Sequence, residues 1–171
     1  SVVTVFGGAG YIGWHVCRLL LQEGFHVRLF DNFLFGSDGI DELSSPRLRV
    51  IDADICDTAA VSSACNGADA VILLAAIAGH RAMDVRSACI RNTNYLASSV
   101  VLDAAVEHGV TRFLFSSTNS VYGIQPGVMY ETTIPQPVSL YARLKLRMEE
   151  RVIHARTREF HPTALRIATC H

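Results

Sequence analysis

Three glycines near the start of the chain constrain its fold more than any other feature. They are Gly7, Gly10 and Gly13, which follow an apolar run of strand-forming residues at 2–6 and precede a helical pattern. Between a strand and a helix, one glycine permits a tight turn, a second lets the backbone approach a phosphate, and a third lets the helix lie close to the strand. The motif therefore predicts a binding site for the pyrophosphate of a dinucleotide.

The residues around the glycines add to this prediction. Tyr11 and Ile12 begin the helix, whose N-terminus offers unpaired N–H groups and a partial positive charge to phosphates. The second predicted strand, 26–30, runs into Asp31, about twenty residues after the glycines. A carboxylate there can accept hydrogen bonds from ribose hydroxyls and would repel the 2′-phosphate of NADP. The predicted cofactor is therefore NAD.

Composition limits the classes of protein that remain. The chain has 171 residues, half of them hydrophobic, with a net charge of −1 and a pI near 6.6. This is enough apolar material for one domain with one core, and the charge gives no sign of nucleic-acid or membrane binding. Without a signal-peptide pattern or an apolar run long enough to span a membrane, the sequence predicts a cytoplasmic protein.

Five cysteines are scattered along the chain, at Cys17, Cys56, Cys65, Cys89 and Cys170. They form no C-x-x-C pair and have no histidine at metal-ligand spacing. The adjacent Cys170 and His171 would point apart on a strand, which disfavours a nucleophile-base pair. The cysteines are expected to be small buried hydrophobic residues, and neither a disulfide framework nor a metal site is predicted.

The hydrophobic pattern predicts alternating strands and helices. Continuous apolar strands of this kind belong to a parallel sheet that is covered on both faces, so the fold class is α/β, a doubly wound parallel sheet of the Rossmann type. Strands are predicted at 2–6, 26–30, 48–51, 70–74, 112–115 and 163–167. Helices are predicted after residue 11, from a cap at Thr58 to about 65, at 87–108 and, from a cap at Ser139, to about 158. Residues 32–46, with at most a short helix, and 125–138 are predicted loops.

Ligands of doubly wound sheets bind outside the carboxyl ends of the strands. Five segments are predicted to meet there: the glycine turn, Asp31, Asp54, residues 75–79 and residues 116–120.

Tyr141 and Lys145 are the predicted chemical pair. They lie one helical turn apart, and Lys145 is the only lysine among the 15 basic residues. A nearby ammonium and the positive ring of NAD⁺ would both favour the phenolate, so the pKa of the tyrosine is expected to fall toward a useful value for a base. The alternative is an ordinary amphipathic helix whose lysine reaches into solvent.

Together these motifs resemble the extended short-chain dehydrogenase/reductase superfamily, and in particular its NAD-dependent nucleotide-sugar epimerase/dehydratase family. The resemblance covers nearly all 171 residues. It rests on Gly7-Gly8-Ala9-Gly10-Tyr11-Ile12-Gly13, Asp31-Asn32, Asp54-Ile55, Leu74-Ala75-Ala76, Asn94, Phe115-Ser116-Ser117-Thr118, Val121-Tyr122-Gly123, Tyr141-x-x-x-Lys145 and Leu165-Arg166.

The resemblance implies a role for several of these residues. Tyr141 would be the base, Lys145 would orient the nicotinamide ribose, and Thr118 would hydrogen-bond the reacting sugar oxygen. Asp54 and Ile55 would contact the adenine. Asn94 would support the active-site loop, and the glycine motif, Asp31, Asn32, Ala75 and Ala76 would complete the cofactor site.

The resemblance also bears on the type of reaction. Dehydratases of the family carry an Asp-Glu pair directly after the Ser/Thr of strand five, and decarboxylases usually carry a Glu at the second position. This chain has Asn119 and Ser120, neither of which is a general acid or base near neutral pH. The pattern is more similar to the 4-epimerases, in which Tyr141 would take the proton from the sugar O4 while C4 passes a hydride to NAD⁺ and takes it back on its other face.

Two departures and two alternatives accompany this prediction. The family has a smaller C-terminal domain for the nucleotide sugar, which these 171 residues lack, and residues 168–171 replace its usual Gly-Pro turn. The alternatives are a nucleotide-sugar dehydratase, decarboxylase or oxidoreductase, and a non-catalytic NAD-binding sensor. The apolar stripes of the helices at 87–108 and 139–158 further predict a homodimer, as in the family.

Overall fold

The computed structural model describes residues 1–36, 39–78 and 86–168. In these residues the strands are β1 (Val2–Phe6), β2 (His26–Asp31), β3 (Leu48–Asp52), β4 (Ala70–Leu73), β5 (Arg112–Thr118) and β6 (His161–Ile167). The helices are α1 (Tyr11–Gln22), α2 (Thr58–Cys65), α3 (Ser87–Arg91), α4 (Ser98–Glu107) and α5 (Leu140–His154). A π-helical segment, Asn92–Ala97, connects α3 to α4, and 3-10 turns lie at Ile40–Leu43 and Asn119–Tyr122.

The six strands form one parallel sheet in the order β3-β2-β1-β4-β5-β6. From β1 the chain builds outward to β3, then crosses to the other side of β1 and builds outward again through β4 to β6. The crossing leaves a crevice at the carboxyl ends of β1 and β4, where the strand order reverses. The predicted doubly wound fold is confirmed.

Both faces of the sheet are covered, which explains the continuous apolar strands. On one face Val3 and Val5 of β1 pack with residues of α1 such as Cys17 and Leu21. On the other face Phe6 joins the larger core cluster, which includes residues of α2, α4 and α5. Thr4 also points to this second face, and its hydroxyl donates a 2.8 Å hydrogen bond to the Ala64 carbonyl.

Several predicted boundaries were wrong. The N-cap of α2 is Asp57, whose carboxylate accepts from the N–H groups of Ala59 and Ala60, while the predicted cap, Thr58, is the first helical residue. Helix α5 ends at His154 rather than near residue 158, and β5 extends through Thr118. The predicted helix at 87–108 contains the π-helical segment, which its periodicity did not indicate.

The apolar stripes of the two long helices pack inside this chain. Val101, Leu102 and Ala105 of α4, with Met148 and Val152 of α5, belong to the larger core cluster. The stripes therefore explain how these helices pack on their own sheet, and the prediction of a homodimer cannot rest on them.

Candidate cofactor and active site

At Gly7 and Gly13, the protein's own backbone leaves no room for a side chain. Gly7 has φ +82° and donates to the Phe30 carbonyl at 2.8 Å, and a Cβ on it would lie 2.5 Å from the Ala75 nitrogen. A Cβ on Gly13 would collide with the Gly7 carbonyl oxygen, so this residue lets α1 pack against the turn. The geometry therefore agrees with two of the three roles predicted for the glycines: a tight turn at Gly7 and close packing of the helix at Gly13.

Gly10 has no such requirement within the protein. Its φ of −70° suits any residue, and the nearest atom to an added Cβ is the Gly7 oxygen, at 3.4 Å. Gly10 is also the N-cap of α1, and no side chain accepts a hydrogen bond at this helix end. A glycine that the fold does not need, beside uncapped N–H groups, fits a site where the backbone approaches a phosphate.

A cleft of about 530 Å³ lies at the carboxyl ends of β1, β2 and β4. Its walls include eight of the predicted cofactor residues: Gly7, Gly10, Asp31, Asn32, Asp54, Ile55, Ala75 and Ala76. Tyr11, Ile12 and Gly13 do not line it; they form the first turn of α1 behind the glycine turn. Gly79, at the end of the predicted segment 75–79, is outside the described residues.

Asp31 holds the glycine turn in place. One carboxylate oxygen accepts from the Ala9 N–H and the other from the Phe33 N–H, both at 3.0 Å. The second bond bends the chain after β2, where Phe33 has the left-handed φ of 52°. Because each carboxylate oxygen has two acceptor positions, Asp31 can still accept from ribose hydroxyls. Its predicted contact with the ribose stays a prediction.

Asp54 connects the loops at the far end of the cleft. It accepts from the Cys56 N–H at 2.8 Å and from the Asn32 side-chain amide at 3.0 Å. These bonds, the backbone bond foremost, lower the pKa of Asp54 despite its partial burial. The Asn92 amide in turn donates to the Cys56 sulfur at 3.1 Å. The loops after β2 and β3 and the π-helical segment therefore form one polar rim.

Asn94 braces the loop that follows β4. Its side chain is buried, its oxygen accepts from the Ile77 N–H at 2.8 Å, and its nitrogen donates to the Ile77 carbonyl at 2.9 Å. Ile77 lines the cleft and also packs with Leu144 of α5. This contact connects the cleft to the helix that carries Tyr141 and Lys145.

Thr118, Tyr141 and Lys145 come together at the interface of β5 and α5. The Ser139 hydroxyl caps α5 by accepting from the Ala142 N–H at 3.1 Å. One turn into the helix, Lys145 is 2% exposed; its Nζ donates to the Ser116 carbonyl at 2.7 Å and lies 4.7 Å from the Phe115 ring centroid. The three side chains do not line the cleft themselves.

The pKa of Tyr141 moves in the direction opposite to the predicted one. Burial raises it, because the phenolate loses hydration, and a hydrogen bond from the Thr118 side chain offsets only part of the rise. Lys145 lies below the tyrosine, with its Nζ 5.9 Å from the ring centroid and directed at the Ser116 carbonyl. Burial also lowers the pKa of Lys145 to about 7, which weakens it as a source of positive charge. The expectation of a lowered tyrosine pKa was therefore wrong for the protein alone.

Sequence reasoning missed two features of the candidate site, one in the glycine turn and one at the interface of β5 and α5. Gly8 needs to be glycine because a Cβ there would lie 2.5 Å from Leu29 Cγ. Glu149 of α5 forms a 2.6 Å ion pair with Arg166 of β6 and accepts a 2.6 Å hydrogen bond from the Ser117 hydroxyl. The only sequence signal for the second feature is that Glu149 continues the four-residue spacing of Tyr141 and Lys145.

In the ranges 1–36, 39–78 and 86–168, no group of three or more His, Cys, Asp or Glu side chains could hold a metal ion. No helix in the described part of the chain combines the length and the apolar character that crossing a membrane requires.

Residues 3–170 match the NAD dependent epimerase/dehydratase family. The chain is 34% identical over 165 residues to the probable UDP-arabinose 4-epimerase 3 of Oryza sativa subsp. japonica, which covers 88% of this chain and 39% of that protein. Two solved structures superimpose closely. The UDP-Glc/GlcNAc 4-epimerase from Campylobacter jejuni has a TM-score of 0.89 at 29% identity, over 97% of this chain and 53% of the other. The UDP-glucuronic acid 4-epimerase from Bacillus cereus in complex with NAD has a TM-score of 0.88 at 29% identity, over 99% and 57%.

Proposed function

Because the chain belongs to the NAD dependent epimerase/dehydratase family, we propose that it is the cofactor-binding part of an NAD-dependent nucleotide-sugar 4-epimerase. The prediction of NAD as the cofactor is confirmed by the family. The three relatives named above are 4-epimerases of UDP-sugars, and the chain spans between 39% and 57% of their lengths. We propose that the nucleotide-sugar pocket needs polypeptide beyond these 171 residues.

One observation carries the proposal: Thr118 of β5 lies close enough to the Tyr141 phenol to lower its pKa, and Lys145 is buried one turn further along the same helix. A non-catalytic sensor would not require this arrangement. Tyr141 would take the proton from the sugar O4 and later return it, and Thr118 would donate to the same oxygen or to the phenolate. Lys145, which is bonded to the Ser116 carbonyl, would hold α5 against β5 below the phenol.

The cleft residues fit NAD. Gly10 and the first turn of α1 would approach the pyrophosphate, Asp31 would accept from the adenosine ribose, and Asp54 and Ile55 would flank the adenine. NAD supplies the acceptor that takes a hydride from the sugar and returns it, so it acts as a catalyst rather than a co-substrate.

The absence of a free acid after β5 favours epimerisation over elimination or decarboxylation. Asn119 and Ser120, the two residues after Thr118, are exposed and not ionisable. The carboxylate that does reach this strand end, Glu149, is neutralised by Arg166 through a bidentate pair. Water elimination would therefore lack a proton donor from this part of the chain.

The test compares the intact protein with its Tyr141→Phe variant on a panel of UDP-, GDP- and dTDP-sugars, with products followed by NMR. We expect C4 epimers without net NADH, and a loss of turnover of 10²- to 10⁴-fold in the variant, with NAD binding retained. A 4-keto-6-deoxy product, or loss of carbon dioxide, would replace this proposal by the dehydratase or decarboxylase alternative. Unchanged turnover in the variant would remove Tyr141 from the mechanism, and NAD binding without turnover of any sugar would favour the sensor.

We also propose that two copies of the chain associate through α4, α5 and the π-helical segment. Leu96 and Val106 remain 57% and 46% exposed on this side, near the ion pair between Asp103 and Arg151 that joins α4 to α5. Sedimentation of the intact protein at micromolar concentration should give a dimer, and Leu96→Asp should shift it toward monomer. A wild-type monomer in light scattering would refute this proposal.

A further inference from the structure

A charged network connects three elements behind the candidate active site. Arg166 of β6 donates to both oxygens of Glu149 on α5, with its Nη2 at 2.6 Å from Oε1 and its Nε at 3.2 Å from Oε2. The two side chains are only 16% and 12% exposed. Hydrogen bonding to Glu149 strongly raises the pKa of Arg166, so the guanidinium stays charged throughout the pH range in which proteins are folded.

The same network holds the strand end on both sides of Thr118. The Ser117 hydroxyl, one residue before it, donates to Glu149 Oε2 at 2.6 Å. On the other side, Arg166 Nη1 donates to the Tyr122 hydroxyl at 3.1 Å, in the 3-10 turn that follows Thr118. Arg166 also lies 4.9 Å from the centroid of the Tyr122 ring. Thr118 therefore lies between Ser117, which is bonded to Glu149, and Tyr122, which is bonded to Arg166.

Three residues of helix α5, each one turn apart, contact residues at the end of β5. Tyr141 meets Thr118, Lys145 meets the Ser116 carbonyl and Glu149 meets Ser117, so the helical residues are spaced four apart. Of the three contacts, the one made by Glu149 is fixed by a bidentate ion pair to a third element. It is the most directional of the three, since a bidentate guanidinium-carboxylate pair has a defined geometry.

We propose that Glu149, held by Arg166, is a positioning residue that sets the separation between the Thr118 hydroxyl and the Tyr141 phenol. The proposal rests on the proposed function, because this separation matters only if the two groups act on one substrate oxygen. A stabilising role alone explains the arrangement less well, since a mostly buried ion pair often contributes no more to stability than apolar residues of the same size.

The primary test is Ser117→Ala in the intact protein. This change removes the bond to the strand but leaves both Glu149 oxygens paired with Arg166, so little stability should be lost. We expect kcat to fall about ten- to a hundredfold with KM for the sugar and Kd for NAD unchanged, because a small displacement of catalytic groups can cost that much. The matched control is Ser62→Ala, which also removes one serine hydrogen bond, the 2.8 Å bond to His108 Nε2, outside the cleft and outside α5, and should leave kcat unchanged.

A second variant separates positioning from stability. The double change Glu149→Leu with Arg166→Met removes both charges and leaves no unpaired ion, so it should regain most of the stability that Glu149→Leu alone loses. Under our proposal its kcat stays at the low level of Ser117→Ala. Recovery of kcat together with the thermal unfolding temperature would overturn the proposal, and so would an unchanged kcat in Ser117→Ala.

A third measurement does not depend on turnover. In protein labelled with ¹³Cζ-tyrosine and saturated with NAD, the Tyr141 signal is assigned by its loss in Tyr141→Phe. Ser117→Ala should shift its titration midpoint by half a pH unit or more, whereas Ser62→Ala should not. If the intact protein converts no sugar but this shift is present, the proposed function fails and the positioning role of Glu149 stands. If the midpoint does not move, the positioning role fails whatever the reaction is.

Discussion

Among the three motif glycines, Gly10 differs in what a methyl group would meet. At Gly7 and Gly13 a Cβ would strike the backbone, whereas at Gly10 its nearest neighbour is 3.4 Å away. Its conformation, φ −70° and ψ 168°, is also open to any residue. The fold therefore does not require glycine at this position, which fits the proposal that a phosphate approaches the backbone here.

We accordingly expect Gly10→Ala to separate cofactor binding from stability. Its free energy of unfolding should stay within about 0.5 kcal/mol of the wild type, as for a typical surface change. Its NAD affinity, measured by calorimetry, should fall at least tenfold because the methyl group would occupy the place of the phosphate. Gly13→Ala is the comparison and should lower stability itself. Full NAD affinity in Gly10→Ala would show that the pyrophosphate lies elsewhere.

Single residues could be predicted from the sequence where a local pattern identifies them. The strand-turn-helix context singles out the glycines, and the lone lysine directs attention to Tyr141 and Lys145. The environment of these two residues could not be predicted, because it depends on Ser116 and Phe115, which are distant in sequence. The burial that raises the pKa of Tyr141 is likewise a property of the packed interface between β5 and α5.

The π-helical segment is the element that joins the cofactor cleft to the core. A π-helical turn widens the helix locally and often marks a functional site. Here it places Asn94 against the backbone of Ile77, and Asn92 against Cys56 on the rim of the cleft. The two asparagines differ in partners and surroundings: Asn94 is buried and makes two bonds to the backbone, whereas Asn92 is exposed and makes one bond to a sulfur.

We expect Asn94→Ala to lower the free energy of unfolding by about 2–4 kcal/mol. The change leaves the N–H and the C=O of Ile77 without their partners, at a cost of about 1–3 kcal/mol for each buried group. Chemical denaturation measures the loss, and NAD affinity should fall with it because Ile77 lines the cleft. Asn92→Ala is the matched control and should change stability by less than about 1 kcal/mol. Equal effects of the two variants would contradict the bracing role of Asn94.

Helices and strands could be predicted where their apolar residues recur at a regular spacing. The strands and helices around the core were found because they alternate as a covered parallel sheet requires. The π-helical segment was missed, because one extra residue in a turn hardly changes a pattern of apolar residues. The cap of α2 was misassigned by one residue, since Asp57 and Thr58 are both good N-caps and only the structure shows which side chain accepts the bonds.

The pH dependence of unfolding belongs to the whole molecule, since it sums the protons bound in both states. Between about pH 7 and 9 the unfolded chain keeps the Lys145 proton while the folded protein, with the lysine pKa near 7, loses it. The unfolded state then binds more protons, so stability should rise with pH by up to about 1.4 kcal/mol per pH unit. Above pH 9 the buried thiols of Cys17 and Cys65, whose pKa values burial raises to about 12, reverse the sign.

Denaturation at several pH values tests this expectation. The wild type should be most stable near pH 9, and Lys145→Met should lack the rise between pH 7 and 9 while keeping the decline above it. A rise of equal slope in both proteins would assign the effect to another group.

At the scale of the molecule, the doubly wound parallel sheet followed from the sequence because few topologies suit it, whereas the order of the strands comes from the structure. The glycine motif predicts the cofactor at the first strand, and the alternation of strands and helices leaves a doubly wound sheet as the natural arrangement. The sequence did not show how the cofactor cleft connects to the interface of β5 and α5. That connection runs through Ile77 and Leu144, which come from separate elements and meet only in the folded chain.

β6 lies at one margin of the sheet and, among the described strands, pairs with β5 alone. Pro162 in this strand lacks an N–H, and proline residues within sheets are found mainly in edge strands. Leu165, in the same strand, is 42% exposed. Backbone groups on the outer side of this strand can recruit a strand from a second molecule. Samples of these 171 residues prepared at high concentration are accordingly expected to grow into oligomers by strand addition, and dilute handling or a fused polar tail would keep them dispersed.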